Sequence, residues 1–317
     1  DFISLKRAFN MKILRAFGFP CIAKNPKSIY IGLIAGVGDL VLAAPCVIAL
    51  KKKYPAAKIC FGVGGGIFRD IIANDPNIDK FDSPIFYYPP TKNVWKILVR
   101  KKLYFRKSLK YDLVILLDGP NKKGLDKGQH LIDLYADKCE LTLESRRAIV
   151  YLNEEDKSQG DMVIEQAGIK QGEPFVVFSP ETRFAKAAKE WRHQNFIELA
   201  ERIRNKFPIK IISFVSPNSN KDYPGTVTVK NAPTIRAAAA VIGKSCLFIG
   251  CDNGLTHIAS SFDLDMISIH LGHPKERSKP ISPKATVICN GFIHDPDSIT
   301  VDQVYAEVEK VLIRQEQ

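Results

Sequence analysis

Two hydrophobic patterns alternate along the first half of the chain. Short, continuous apolar runs at Ser28–Ile34, Lys58–Val63 and Tyr111–Asp118 are typical of strands buried on both faces of a parallel sheet. Between them, Asp39–Tyr54 and His130–Cys139 have the residue spacing of helices. Strands that alternate with helices predict a parallel sheet with helices packed against it.

A second series of the same kind follows. Its predicted strands are Phe175–Ser179, Ile209–Val215, Thr226–Val229, Cys246–Gly250 and Met266–Leu271. Its predicted helices are Gln194–Phe207, Thr234–Ile242, Gly254–Ser261 and Val301–Ile313. The polar stretch Asn153–Gly160 is interpreted as a linker, so the sequence predicts two Rossmann-like α/β domains at residues 1–152 and 153–317. Two such domains leave a cleft, in which ligands bind beyond the carboxyl ends of the strands.

The composition excludes several classes of protein. Of the 317 residues, 45% are apolar and 25% are charged, which excludes a disordered chain. No apolar run is long enough to predict a membrane span. The seven cysteines form no CxxC pair and predict neither a disulfide framework nor a zinc ribbon. This usage fits a reducing compartment, and the expected location is the cytoplasm.

The net charge of +12 is unevenly distributed. Residues 1–150 hold 26 Lys and Arg against 13 Asp and Glu, whereas the remaining residues hold 20 against 21. A basic half beside a neutral half predicts that only the first half meets an anionic partner. Nucleic acid, an anionic lipid surface and a phosphorylated glycan all qualify, but the chain contains no recognised nucleic-acid-binding motif.

Two segments concentrate the basic charge. Residues 2–17 place apolar side chains at helical spacing with cations between them, which fits a helix on an anionic membrane or one packed on the domain's flank. Residues 91–111 hold eight cations, Arg100, Lys101 and Lys102 among them, interleaved with aromatic residues and without any acidic residue. An unmixed run of like charge indicates an anionic acceptor or membrane; the alternative is a basic helix whose aromatic residues belong to the core.

Polar clusters follow the first strand of each series. Gly36–Leu40 combines glycines, which let a backbone approach a ligand, with Asp39, which serves either as a general base or as a helix cap. The cluster is not a P-loop, because no Gly-Lys-Ser/Thr follows. Ser179–Arg183, with Lys186 and Lys189 behind it, fits a phosphate site or a solvated loop.

A third cluster, Cys251–His257, lies between a predicted strand and a predicted helix. Asp252 or Asn253 at the N-cap and Gly254 in the first turn leave N–H groups that can hold an anion. His257 on this helix fits either a binding residue or a structural one.

These motifs, taken in order, resemble glycosyltransferase family 9, the heptosyltransferase-like enzymes of bacterial lipopolysaccharide core synthesis. The resemblance is carried by Gly38-Asp39-Leu40 with Pro45 and Leu50–Pro55, by Lys189-Glu190-Trp191, and by Asp252–Ala259. The last of these is similar to the family's Asp-Thr-Gly-Leu-x-His-Leu-x-Ala signature.

The resemblance implies a fold, a reaction and partners. The fold would be GT-B, with the acceptor mainly on the first domain and the nucleotide sugar on the second. The reaction would be metal-independent, inverting transfer of heptose or a related sugar from a donor such as ADP-heptose, without a cofactor. The acceptor would be an anionic lipopolysaccharide-core-like or other surface glycan. The protein would act in the cytoplasm, with peripheral contact at the inner membrane.

The resemblance also implies a role for each site residue. Asp39 would be the general base. The donor would be bound by Thr182, Lys186, Lys189, Asp252, Asn253, Gly254 and His257. The acceptor would be bound by Gly38. The unmixed charge of residues 91–111, rather than the resemblance, adds Arg100, Lys101 and Lys102 to the predicted acceptor site. Within the donor site, Lys189 and Thr182 would hold the diphosphate and Asp252 would position the sugar, with Lys186 as the alternative lysine.

The sequence also departs from the family's pattern. Ala35-Gly36-Val37 replaces Ser-Ser-Met, and Asn253 replaces the usual Thr. Relatives carry an acidic ribose contact after the strand that ends near Phe214, where this chain offers only Asp222. Two other functions therefore stay open: a sugar-nucleotide epimerase, and a non-catalytic protein that binds nucleotide sugars or nucleic acid.

Overall fold

The structure, a computed structural model, describes residues 25–85, 92–117, 128–182, 189–271, 274–291 and 295–316. The amphipathic segment predicted at residues 2–17 lies outside the described residues. Within them, the chain forms two sheets of four and six strands, in which all the strand pairs are parallel. The predicted α/β class with two Rossmann-like sheets is confirmed. No helix in these ranges is long and apolar enough to cross a membrane.

The first sheet has the strand order β3-β2-β1-β4. Its strands are β1 (Ser28–Gly32), β2 (Lys58–Gly62), β3 (Lys80–Asp82) and β4 (Leu113–Leu116). Its helices are α1 (Val37–Lys53), α2 (Ile67–Asp70), α3 (Val94–Lys110) and α4 (Leu131–Lys138). Ile29 of β1 pairs with Ile59 on one side and Leu113 on the other, which explains why this central strand is a continuous apolar run.

The second sheet has the strand order β10-β9-β8-β5-β6-β7. Its strands are β5 (Phe175–Ser179), β6 (Lys210–Phe214), β7 (Val227–Val229), β8 (Leu247–Cys251), β9 (Asp265–Ile269) and β10 (Ala285–Ile288). Its helices are α5 (Glu154–Gln166), α6 (His193–Lys206), α7 (Ile235–Lys244), α8 (Gly254–Ala259), α9 (Lys275–Ser278) and α10 (Val301–Glu316). Chain order reverses between β5 and β8, and open parallel sheets bind ligands at such a point.

The predicted linker at Asn153–Gly160 is wrong, because these residues cap and begin helix α5. The side chain of Asn153 accepts from the Asp156 N–H at 2.8 Å, and Asp156 accepts in return from the Asn153 N–H at 3.1 Å. This reciprocal capping box starts the helix despite its polar composition. At Gly160 a Cβ would lie 2.6 Å from the Cβ of Ala240, so the glycine permits close packing on α7.

The core does not divide cleanly at the predicted domain boundary. One buried apolar cluster contains Ile29 of the first sheet and Phe248 of the second. A polar contact also crosses the boundary: Arg236 on α7, which is bonded to Asp156 at 2.9 Å, donates to the carbonyl of Asp70 at the end of α2. The boundary between residues 152 and 153 stays a prediction.

Candidate active site

A cavity of about 750 Å³ lies between the two sheets, at the carboxyl ends of their strands. The cavity is lined by eight of the predicted site residues: Gly38, Asp39, Thr182, Lys189, Asp252, Asn253, Gly254 and His257. Among the described residues, the predicted acceptor cations Arg100, Lys101 and Lys102 lie on α3 and do not line it. Lys186 lies outside the described residues. The tertiary structure thus brings together the predicted base and most of the predicted donor site.

Asp39 is the third residue of α1 and both caps this helix and lines the cavity. Its Oδ2 accepts a hydrogen bond from the Gly36 N–H at 3.1 Å. Its Oδ1 accepts one from the hydroxyl of Tyr135, a buried residue of α4, also at 3.1 Å. Each carboxylate oxygen has a second lone-pair direction. Capping and proton acceptance are therefore compatible in this residue.

Helices α1 and α8 approach each other closely at the cavity through a glycine on each helix. A Cβ on Gly38 would lie 2.5 Å from Cδ2 of His257, and one on Gly254 would lie 3.0 Å from Cβ of Val37. His257 is therefore held against the first half of the chain. This contact fixes the distance between the two walls of the cavity.

Gly38→Ala is expected to destabilise the protein by about 1–3 kcal/mol, because the new methyl group overlaps the buried ring of His257. Gly36→Ala is the matched control, since its Cβ would meet the nearest atom, Oδ2 of Asp39, at an acceptable 3.4 Å. Urea denaturation of both variants measures the difference. Equal stability would show that α1 and α8 do not pack as closely as described.

A buried charge cluster forms the wall contributed by the second half. Asp252 is 3% exposed, and its Oδ2 accepts from Nζ of Lys189 at 2.8 Å. Nε2 of His257 lies 3.7 Å from its Oδ1, and Nε2 of His270 lies 4.0 Å from its Oδ2. Burial opposes ionisation of this carboxyl, but these three basic groups outweigh it and hold the pKa of Asp252 well below its usual range. The cluster presents Lys189 to the cavity as a positioned cation.

Asn253, which stands where the pattern that the sequence resembles has Thr, joins two loops of the second sheet. Its Oδ1 caps α8 by accepting from the Thr256 N–H at 3.1 Å. Its Nδ2 donates to Oγ of Ser179 at 2.8 Å and to the carbonyl of Glu181 at 2.9 Å. A threonine has a hydroxyl but no amide donor pair, so it could cap the helix without making both bonds. Asn253 therefore fixes the loops after β5 and β8 relative to each other.

Sequence reasoning missed Glu181, which lies in the cavity wall beside the loop after β6. Its carboxylate accepts from the Ser216 N–H at 3.0 Å and from the hydroxyl of Tyr223 at 3.3 Å, and Ser219 also donates to it. Asp222, the acid that the sequence offered, does not line the cavity among the described residues. The signal was available, because Glu181 stands two residues past the end of a buried strand.

His130 at the start of α4 forms a polar bridge between the halves. Its Nδ1 accepts from the Ile132 N–H at 3.2 Å, so its Nε2 carries the proton and donates to the Lys279 carbonyl at 3.0 Å. Burial is the main cause that lowers the pKa of His130 to about 4. The neutral ring is thus the form that the folded protein holds.

The neutral His130 ring is expected to stabilise the folded state fully above the unfolded-state pKa of about 6.5. This stabilisation is expected to fall as the pH drops toward about 4, because His130 binds a proton in the unfolded chain at a higher pH than in the folded one. From pH 7 to pH 5, the wild type should lose about 2 kcal/mol more unfolding free energy than His130→Asn. Asparagine keeps the helix cap and does not titrate. Denaturant unfolding at the two pH values tests this; parallel losses in both proteins would contradict it.

Comparison with solved structures first gives the fold. E. coli ADP-heptose lps heptosyltransferase II matches with a TM-score of 0.69 and 18% identity over 92% of this chain and 100% of that chain. A glycosyl transferase family 9 protein from Veillonella parvula matches with a TM-score of 0.71 and 16% identity over 92% and 98%. E. coli heptosyltransferase WaaC, solved with ADP, matches with a TM-score of 0.62 and 15% identity over 90% and 99%. The fold is therefore GT-B.

The family follows from the sequence. The model of glycosyltransferase family 9 (heptosyltransferase) matches residues 129–304, more than half of the chain. The chain belongs to this family, and the protein is a glycosyltransferase. No curated protein is significantly similar to it in sequence. The family and enzyme class predicted from the motifs are confirmed.

Proposed function

We propose that this protein transfers heptose or a related sugar from a nucleoside-diphosphate donor such as ADP-heptose to an anionic, lipopolysaccharide-core-like glycan. In this proposal transfer inverts the anomeric centre, needs no metal, and takes place at the cytoplasmic face of the inner membrane. The observation that carries it is the convergence of Asp39, from the first sheet, with Lys189 and Asp252, from the second, on one cavity. Inverting transfer needs a base and a cationic leaving-group site on facing walls.

In the proposed reaction, an acceptor hydroxyl attacks the anomeric carbon as the bond from that carbon to the diphosphate oxygen breaks. The hydroxyl proton goes to a free lone pair of Asp39, whose orientation is maintained by Gly36 and Tyr135. The electron pair of the broken bond leaves with the nucleoside diphosphate. Attack from the face opposite the leaving group inverts the configuration.

The leaving diphosphate would be stabilised by Lys189 and by the first turn of α8. Lys189 uses one of its three N–H donors on Asp252 and retains two for phosphate oxygens. The N–H groups of Gly254 and Leu255 belong to the first turn, where a helix has no carbonyl partners for them. Among the described residues, no group of three or more His, Cys, Asp and Glu side chains is arranged to hold a metal ion. Lys189 and these amides would supply the positive charge.

The acceptor is proposed to be anionic because the basic excess belongs to the half that carries Asp39. Arg100, Lys101 and Lys102 lie away from the cavity lining, so they would contact charged groups remote from the reacting sugar. A lipid-linked glycan has such groups in its membrane-proximal part. This reasoning also supports the peripheral location.

The test is incubation of the purified protein with ADP-heptose, with and without lipopolysaccharide-core acceptor, while nucleoside diphosphate release and the sugar's configuration are followed. Acceptor-dependent release with an inverted product supports the proposal. Acceptor-independent isomerisation would instead indicate an epimerase, and tight binding without turnover would indicate a binding protein. Other nucleotide sugars, assayed in parallel, identify the donor.

A further inference from the structure

Helix α3 presents an apolar stripe to solvent. Val94, Leu98, Phe105 and Leu109 are spaced by four, seven and four residues, so they share one face of the helix, and all four are exposed. Leu98 is 50% exposed, and the neighbouring Trp95 is 78% exposed. We call Val94, Leu98, Phe105 and Leu109 the outer stripe. An exposed apolar patch of this kind marks an interaction surface.

The opposite face of α3 is anchored to the first sheet. Leu103 and Tyr104 pack against the buried cluster that contains Tyr30 and Tyr111. Near the end of the helix, Lys107 is paired with Asp82 at 2.9 Å. These contacts prevent α3 from rolling to bury the outer stripe, so the stripe stays exposed in the part of the chain that the structure describes.

Exposed cations flank the outer stripe on both sides. On a helical projection, Lys101 lies at one edge of the stripe, whereas Lys102 and Arg106 lie at the other, and all three are exposed. No acidic residue occurs between Lys92 and Tyr111. An apolar face bordered by cations is the pattern of helices that lie in the interface of anionic bilayers.

We propose that α3 is a membrane-docking helix whose outer stripe inserts into an anionic bilayer while Lys101, Lys102 and Arg106 contact lipid phosphates. Charge complementarity decides this occupant, because a second copy of the chain would place like-charged helices against each other. The inference deepens the proposed function and rests on it for its purpose, which is to bring the cavity to a lipid-linked acceptor. Insertion contributes apolar burial, so docking is not electrostatic alone.

The first test is co-sedimentation of the full chain with vesicles, without donor or acceptor. We expect binding to vesicles of equal parts phosphatidylglycerol and phosphatidylcholine, and much weaker binding to phosphatidylcholine alone. The double variant Leu98→Ser/Phe105→Ser should lower the partition coefficient by more than about tenfold. The double variant Met162→Ser/Ile313→Ser, which replaces exposed apolar residues of the second half, is the matched control and should bind as the wild type.

The second test measures insertion directly through Trp95. The chain has two tryptophans, and Trp191 is buried with its Nε1 donating to the Ile299 carbonyl, so vesicle-dependent changes in fluorescence report on Trp95. We expect a blue shift on anionic vesicles and quenching by lipids brominated on their acyl chains. Trp95→Phe should remove both signals. A protein that adsorbs only by charge would bind without this quenching, and that result would overturn insertion.

Three other results would overturn the proposal: no binding to anionic vesicles, unchanged binding by the outer-stripe variant, or a wild-type dimer that this variant dissociates. Circular dichroism and denaturant unfolding verify that the variant is folded, and its exposed positions make unfolding an unexpected outcome. The Asp39→Asn protein should bind vesicles as the wild type does. Failure of the transferase assay with intact vesicle binding would therefore refute the proposed function and leave the docking helix standing.

Discussion

Asp39→Asn is expected to lower the turnover of sugar transfer by at least about a hundredfold while ADP binding stays within about twofold, because the amide cannot accept the acceptor's proton. The substitution fits the site. The amide oxygen can accept from the Gly36 N–H, and the amide nitrogen can donate to the hydroxyl of Tyr135, which rotates to accept. Steady-state kinetics and ADP titration calorimetry give the two numbers.

The control for this prediction is Asp133→Asn, which removes a carboxylate from α4 that pairs with Arg146 and does not line the cavity. It should transfer sugar as the wild type does. Tyr135→Phe should reduce turnover less than Asp39→Asn, since it keeps the carboxylate and removes only one of its hydrogen bonds. If Asp39→Asn turns over within about tenfold of the wild type, roughly 1.4 kcal/mol in the barrier, Asp39 is not the base.

Lys189→Ala is expected to weaken ADP binding and to lower turnover, each by about tenfold or more, because a charge-assisted contact to the diphosphate is lost. It should also destabilise the fold by about 3–5 kcal/mol, because the carboxylate of Asp252, which is 3% exposed, loses its Lys partner. Calorimetry with ADP and denaturant unfolding measure the two effects separately.

A double variant separates the direct effect of Lys189 on ADP binding from its effect on stability. Lys189→Ala/Asp252→Asn removes the buried charge together with its partner, so it should regain much of the stability and still bind ADP weakly. Recovery of ADP binding in the double variant would mean that Lys189 acts only by supporting the fold. Lys221→Ala, whose lysine pairs with Glu190 outside the cavity lining, is the control for loss of one positive charge.

Chelation tests the metal-free part of the same scheme. EDTA should leave both turnover and ADP binding unchanged, because a lysine and helix N–H groups can neutralise a diphosphate. Transfer that stops on chelation and returns with a divalent ion would decide against this scheme.

Local patterns in the sequence predicted most of the fold because each pattern has a local cause. Strands β1, β5 and β8 are covered on both faces, so their residues are continuously apolar and could be recognised without any tertiary information. The order of the motifs was sufficient to identify the family. Helix α5 was not predicted because its sequence is mostly polar, although Asn153 and Asp156 form a capping box that marks its start.

The sequence could not show which motifs share one site. Asp39 and Lys189 are 150 residues apart, and only the packing of α1 on α8 places them on one cavity. The sequence also could not show that Glu181 contacts the loop after β6, because this contact depends on β5 and β6 being neighbours in the sheet. Parallel strands require long crossovers, so contacts between strand ends are set by topology and not by nearby residues.

The sequence by itself determined the two parallel-sheet series, the basic first half, the glycines and carboxylate of Gly36–Leu40 and the family. It also placed eight cations between Thr91 and Tyr111, but left open whether their aromatic neighbours are core. Only the tertiary structure decided this. The face of α3 that carries Leu103 and Tyr104 packs on the first sheet, whereas the face that carries the outer stripe is exposed. The reason is that a helix packed on a sheet buries only the side that contacts the sheet.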